Sequence, residues 1–143
     1  MALSKIVYTA HATATGGREG TAKTDDGKLD VKLDLPKAMG GHDAGTNPEQ
    51  LFAAGYAACF IGAMRFVAGS QQITLPADTA INSSVSFGPR AGGAKGFSVD
   101  VALEVHVPGM EKAAAEKLVH EAHEVCPYSN ATRNNIDVTL TVA

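Results

Sequence analysis

The chain has 143 residues, 45% of them hydrophobic, a formal net charge of −3 and two cysteines, which is the size and apolar content of one domain with a real core. With no block of lysine or arginine, neither nucleic acid nor an anionic membrane surface is the expected partner, and a small neutral or acidic molecule is. The opening residues, MALSKIVYTAHATAT, hold no continuous apolar h-region and predict a cytoplasmic protein, where a cysteine pair suits redox or nucleophilic chemistry better than a stabilising staple.

In chain order, Ile6, Tyr8 and Ala10 alternate with polar or small neighbours and predict a first strand. Gly16-Gly17 then turns as a two-residue hairpin into Arg18 and the strand-like EGTAKT. Asp26-Gly27 turns the chain again into a third strand, in which Leu29, Val31, Leu33 and Leu35 alternate with polar residues. The expectation is an antiparallel meander with one face buried. Pro36 to Gly45 is a glycine-rich connection without periodicity.

Thr46 to Ser70, TNPEQLFAAGYAACFIGAMRFVAGS, is the segment around which the rest is expected to assemble. Asn47 is a good N-cap, Pro48 suits the first helical position, and Gln50 stands where a capping-box partner reaches back. From Leu51 to Met64 no residue is charged, so the helix has no polar face and is expected to be covered nearly all round. Glu49 and Arg65 bracket an apolar run shorter than the ~20 residues of a bilayer span, which predicts a core helix. Cys59 lies near its middle among Ala53, Ala54, Gly55, Ala57, Ala58, Gly62 and Ala63.

A polar connector follows, then Ile81, Ser83, Val85 and Phe87 at strand spacing, a turning tract GPRAGGAKG, and an uninterrupted alternation from Phe97 to Val107. Residues Glu111 to Val125 place Ala114, Leu118, Ala122 and Val125 on one face of an amphipathic helix. Cys126-Pro127 interrupts it, because the residue before proline is pushed out of the helical region, and Pro127 is suited to open a new turn through Tyr128, Ser129 and Asn130. Ile136, Val138, Leu140 and Val142 alternate in a closing strand.

Cys59 has two readings, a small core residue, since free cysteine is among the most buried residue types, or a reactive thiol. Cys126, exposed or half-exposed at a helix start, would carry a pKa lowered by the helix dipole, and a thiolate is what peroxides and disulfides react with. With no CxxC and no Cys/His cluster at ligand spacing, a structural zinc site is not expected. Arg18 reads equally as a solvated hairpin charge, Glu49 as a first-turn acid complementing the dipole, and Phe52 and Tyr56 as core. The scattered histidines, His120 and His123 included, read as surface residues.

Two long stretches carry more. Gly45 to Phe60 (GTNPEQLFAAGYAACF) and Val125 to Val138 (VCPYSNATRNNIDV) resemble the two signature regions of the organic hydroperoxide resistance (Ohr) branch of the Ohr/OsmC family of thiol peroxidases, and the resemblance extends over nearly the whole chain. It implies one α+β, OsmC-like domain over residues 1–143, with antiparallel sheets wrapped around a long central apolar helix. It also implies an intertwined homodimer with both active sites at the subunit interface. By the same resemblance Cys59 is the peroxidatic cysteine, Cys126 the resolving one, and Arg18 and Glu49 the polar pair that positions and activates the thiolate. The implied substrate is an organic hydroperoxide, reduced without a bound cofactor, and the implied reductant is a dithiol, typically a lipoyl group on a protein.

Physical chemistry is consistent with these roles. A thiol of pKa ~8.5 is only a few per cent ionised at neutral pH, and an adjacent guanidinium that lowers the pKa by ~2 units makes most of it thiolate, for ~2.7 kcal/mol of differential stabilisation. Arg18 would supply that charge, while Glu49 would hold the guanidinium fork and orient more than it activates. Phe52, Tyr56, Phe60 and Met64 would offer apolar surface around Cys59 to an alkyl chain. Two rivals stand beside this reading: the sister OsmC branch with the same thiol chemistry, and a hotdog-like acyl-binding module or thioesterase in which both cysteines are incidental.

Overall fold

A computed structural model describes all 143 residues. The chain forms two compact units, Met1–Pro48 and Glu49–Ala143.

The first unit is an antiparallel meander of β1 (Ala12–Thr15), β2 (Thr21–Thr24) and β3 (Asp30–Lys32) in that spatial order. The first strand starts later than its alternation predicts. Ile6 and Tyr8 lie outside any strand and are 72% and 79% exposed, because β2 ends at Thr24, the partner of Ala12, and offers no ladder to anything earlier. The turn between β1 and β2 is also longer than a two-residue hairpin. Gly16 adopts φ 72°, a 3-10 turn over Gly17–Glu19 carries Arg18, and Gly20 approaches β1 so closely that a Cβ there would lie 1.7 Å from the Thr15 carbonyl oxygen. At the next turn Gly27 adopts φ 73° and its N–H donates to the Thr24 carbonyl at 3.0 Å, as Asp-Gly predicts. β1 is exposed throughout, and β2 and β3 alternate between half-buried and exposed, so the meander's inner face is only partly covered within the chain. Thr46 closes the unit by donating its N–H to the Lys32 carbonyl at 2.9 Å, which brings the chain back to the start of the long helix.

That helix, α1 (Pro48–Ser70), runs 23 residues and leads into the second unit. Three strands follow, β4 (Ala80–Pro89), β5 (Phe97–His106) and β6 (Val138–Val142), with α2 (Lys112–Val125) and α3 (Pro127–Thr132) between the last two. β4 and β5 pair antiparallel over ten residues each. β6 pairs parallel with β5, so this sheet is mixed and not antiparallel as expected. The reason is the connection: α2 and α3 form a helical crossover, which is what two parallel neighbours need.

The core joins α1, β5 and α2. From α1 it takes Tyr56, Phe60, Ala63, Met64, Val67 and Ala68, at the i, i+4, i+7, i+8 spacing of one helix face. From β5 it takes Val101, Leu103 and Val105, every second residue. α2 contributes Ala115, Leu118, Val119 and Ala122, with Cys126 just beyond. The face is rotated from the expected one: Ala114 is exposed and Val125 is 43% exposed. Nor is α1 covered all round, since Ala54, Ala58, Gly62 and Phe66 form an apolar stripe that the chain leaves exposed. By length and composition α1 would suffice to cross a membrane.

Candidate active site

Both cysteines belong to the second unit, and the fold brings them into contact. Cys59 sits mid-way along α1, half-buried. Cys126 occupies the kink between α2 and α3, where Pro127 at the first position of α3 forces the preceding residue out of the helix, to φ −66° and ψ 124°. The Cys126 thiol donates to the Cys59 sulfur at an Sγ–Sγ distance of 3.9 Å. Both thiols are free, and closing them to a disulfide needs an approach to about 2.05 Å, within reach of side-chain rotation. Although Cys126 stands at a helix start as predicted, it is fully buried at 0% exposure, so of the two thiols Cys59 is the accessible one.

The surroundings of Cys59 oppose its ionisation on balance. Burial raises its pKa, the neighbouring Cys126 raises it further, and a main-chain hydrogen bond from Tyr128 acts the other way. Tyr128 is the second residue of α3, so the kink that delivers Cys126 also aims a backbone donor at the Cys59 sulfur. Its ring lies across α1 at Gly55, where a Cβ would stand 2.8 Å from the Tyr128 phenol oxygen.

The predicted apolar residues separate into two groups. Tyr56, Phe60 and Met64 are fully buried at 0% exposure and belong to the core behind the cysteines. Phe52 instead lines an apolar cleft of ≈ 470 Å³ with Pro127, Tyr128, Ala131 and Thr132. Phe52 meets Tyr128 edge-on at 5.9 Å between ring centroids. Sequence reasoning did not name Tyr128, Ala131 or Thr132 as cleft residues, and the usable signal was their position immediately after the second cysteine.

Glu49 stands in the first turn of α1, ten residues before Cys59, which is about 15 Å of helix rise and excludes direct contact between the two within one chain. Arg18 lies half-buried on the 3-10 turn of the first unit.

A polar cluster also stands behind the cysteines that the sequence did not advertise. The Tyr56 hydroxyl meets Ser129 Oγ at 2.8 Å and Thr132 Oγ1 at 3.1 Å, and Ser129 Oγ meets His123 Nδ1 at 2.8 Å. His123, expected on the surface, is half-buried, and burial and the nearby Arg133 guanidinium lower its pKa. Arg133 donates to the His123 carbonyl in the last turn of α2 and to Asn130 Oδ1.

The OsmC family pattern (OsmC-like protein) matches residues 41–141. The chain is 60% identical over 140 residues to the organic hydroperoxide resistance protein of Xanthomonas axonopodis pv. citri (strain 306), covering 97% of this chain and 96% of that one. It is 47% identical over 134 residues to the organic hydroperoxide resistance protein OhrB of Bacillus subtilis (strain 168), covering 94% and 96%. Among solved structures, the organic hydroperoxide resistance protein OsmC from Legionella pneumophila superposes with a TM-score of 0.90 at 51% identity, covering 97% of this chain and 99% of that chain.

Proposed function

This chain belongs to the OsmC family, in its organic hydroperoxide resistance branch, and from that premise we propose how its residues carry out a cysteine-based organic hydroperoxide reduction. The Cys59 thiolate attacks the distal oxygen of R–OOH, the O–O bond breaks, and the alkoxide leaves with a proton as the alcohol. Cys59 is then a sulfenic acid. Cys126 attacks its sulfur, the S–O bond breaks, water leaves, and a Cys59–Cys126 disulfide remains. An external dithiol, by family resemblance a lipoyl group on a protein, returns both thiols.

The observation that carries this reading is the 3.9 Å contact between two free thiols, one half-exposed and one buried. A hotdog-like acyl-binding module would give no reason for that juxtaposition. The half-exposed thiol is the one a bulky peroxide reaches, and the buried one, in contact with it, is placed to trap the sulfenic acid. The cleft formed by Phe52, Pro127 and Tyr128 takes the alkyl part of the substrate, where each buried CH₂ contributes at best ~0.8 kcal/mol. Tyr56, Phe60 and Met64 support that surface from the core and do not line it.

Because burial raises the Cys59 pKa, the site needs a cation, and we assign Arg18 to that role with Glu49 as its orienting carboxylate. The ~15 Å between Glu49 and Cys59 along α1 means that Glu49 serves the cysteine of a second copy. Two α1 helices that cross antiparallel near Ala54 bring each Glu49 toward the partner subunit's Cys59, and the exposed stripe of Ala54, Ala58 and Gly62 has the small side chains that such a crossing requires. The working protein is therefore a cytoplasmic homodimer acting as one functional domain, with α1 buried in it and not in a membrane.

Single cysteine variants test the order of events. Cys59→Ser loses all peroxide consumption, whereas Cys126→Ser consumes about one equivalent, then stalls or drifts to sulfinic acid. Intact mass after one equivalent of hydroperoxide reads the difference. An oxygen adduct on Cys59→Ser with none on Cys126→Ser reverses the assignment.

A further inference from the structure

Each cysteine is three residues from a member of the buried polar cluster: Tyr56 precedes Cys59 by three, His123 precedes Cys126 by three, and Ser129 follows Cys126 by three. One turn of helix is about that length, so these side chains project from the backbone that carries the sulfurs. The cluster ties three helices together. Tyr56 belongs to α1, His123 to the last turn of α2, and Ser129 and Thr132 to α3. The His123–Ser129 hydrogen bond of 2.8 Å spans the α2–α3 kink at Cys126, and the Tyr56–Ser129 bond of 2.8 Å fastens that kink to α1.

We propose that the Tyr56–Ser129–His123 chain is the positioning device for the resolving cysteine, holding the Cys126 kink against α1 so that its sulfur stays in contact with Cys59 and the disulfide closes quickly. The proposal rests on the reading of Cys59 as attacking thiol and Cys126 as resolving thiol, and adds three residues that touch neither peroxide nor sulfur. Closure brings the sulfurs from 3.9 Å to about 2.05 Å. With both backbones fixed, rotation about the cysteine side chains supplies that approach, and the advantage of a preset near-contact over a searching encounter is what accelerates the step.

The donor order of the cluster is self-consistent. Thr132 Oγ1 donates to the Ser129 carbonyl at 3.2 Å, which leaves it an acceptor for Tyr56. Every bond is met when Tyr56 donates to Thr132 Oγ1, Ser129 Oγ donates to the Tyr56 oxygen and an Nδ1–H of His123 donates to Ser129 Oγ. Tyr56 and Ser129 are 0% exposed and Thr132 4%, so the loss of one hydroxyl leaves a buried partner unsatisfied and the kink free to shift.

The test uses the whole protein, wild type and the variants Tyr56→Phe, Ser129→Ala and their double, mixed with one equivalent of tert-butyl hydroperoxide. The reaction is quenched with N-ethylmaleimide at increasing times and read by intact mass. Wild type passes through the sulfenic acid to the Cys59–Cys126 disulfide. In each single variant sulfenic acid forms within about twofold of the wild-type rate, while disulfide closure slows roughly five- to tenfold, the effect of losing one buried hydrogen bond. Excess peroxide then yields sulfinic acid. In the double variant closure is no slower than in the slower single, as for one shared network. Tyr56→Phe removes a single oxygen and carries the test if Ser129→Ala folds poorly. Closure at the wild-type rate in Tyr56→Phe overturns the proposal, and so does parallel slowing of both steps, which would mark a general loosening of the fold. Absence of the disulfide in wild type instead overturns the assignment of the two cysteines, and leaves the network nothing to position.

Discussion

Cys59 faces opposed requirements at the scale of a single side chain. The role proposed for it needs a thiolate, yet burial and the adjacent Cys126 raise its pKa, and only the Tyr128 main-chain hydrogen bond works against them. The sign for activity follows: thiolate and rate both increase as pH rises through the Cys59 pKa, so whatever lowers that pKa moves activity toward neutrality. Arg18 is the group assigned to do so. Removing it in Arg18→Ala, with the pKa up by ~2 units, cuts the thiolate fraction at neutral pH by about 25-fold, from most of the thiol to a few per cent. A more basic thiolate is also the better nucleophile, with a Brønsted slope of ~0.4–0.5, and this returns roughly tenfold. The net expectation is about a threefold loss at neutral pH that fades toward alkaline pH, measured as the pH profile of peroxide reduction. Arg18→Lys restores only part of it, since an ammonium lacks the planar fork. Identical profiles of thiol alkylation in wild type and Arg18→Ala would remove Arg18 from the site.

Among the elements, α1 and α3 set the site through their mutual fit at Gly55. A glycine inside a helix is worse than alanine by ~1 kcal/mol, so Gly55→Ala gains helix stability while its Cβ meets the Tyr128 phenol oxygen at 2.8 Å. The clash falls on the far end of a rotatable side chain, which gives way cheaply. Gly55→Ala is therefore expected to melt within a few degrees of wild type and to reduce organic hydroperoxides several-fold more slowly, because the displaced Tyr128 ring is one wall of the cleft. An unchanged rate would show that the ring's place over α1 is incidental. Long periodic elements were legible in the sequence. The helix expected from Asn47 onward runs Pro48–Ser70, the alternation from Phe97 gives β5, and the Cys126-Pro127 break gives the kink that joins the two thiols. What stayed hidden depends on partners distant in sequence. Ile6 to Ala10 alternates like a strand but meets no ladder in its own chain. His123 sits among charges on a helix that reads as polar, and nothing local announces that Ser129 and Tyr56 fold against it. Tyr56, Phe60 and Met64, expected around Cys59 with Phe52, lie in the core for a related reason: they share the helical face that enters it, and helical spacing alone does not tell a core face from an open one.

For the molecule as a whole, the exposed apolar stripe of Ala54, Ala58, Gly62 and Phe66 on α1 is the kind of surface that marks an interaction site, and Ile6, Val7 and Tyr8 are exposed as well. Sedimentation at low micromolar concentration is expected to give a dimer mass, and a clean monomer with native helicity would sink the two-chain site, since Glu49 could then reach no Cys59. In the proposed dimer, a helix with the length and apolarity of a membrane span would be covered by protein. The dimer's two chains would carry two independent thiol pairs, each closing within its own chain. The most direct test of that chemistry is a count of free thiols per chain before and after one equivalent of an alkyl hydroperoxide, with non-reducing electrophoresis alongside. The account predicts the loss of both thiols in every chain and no crosslink between chains. Retention of both thiols, or their loss through crosslinked chains, would contradict it.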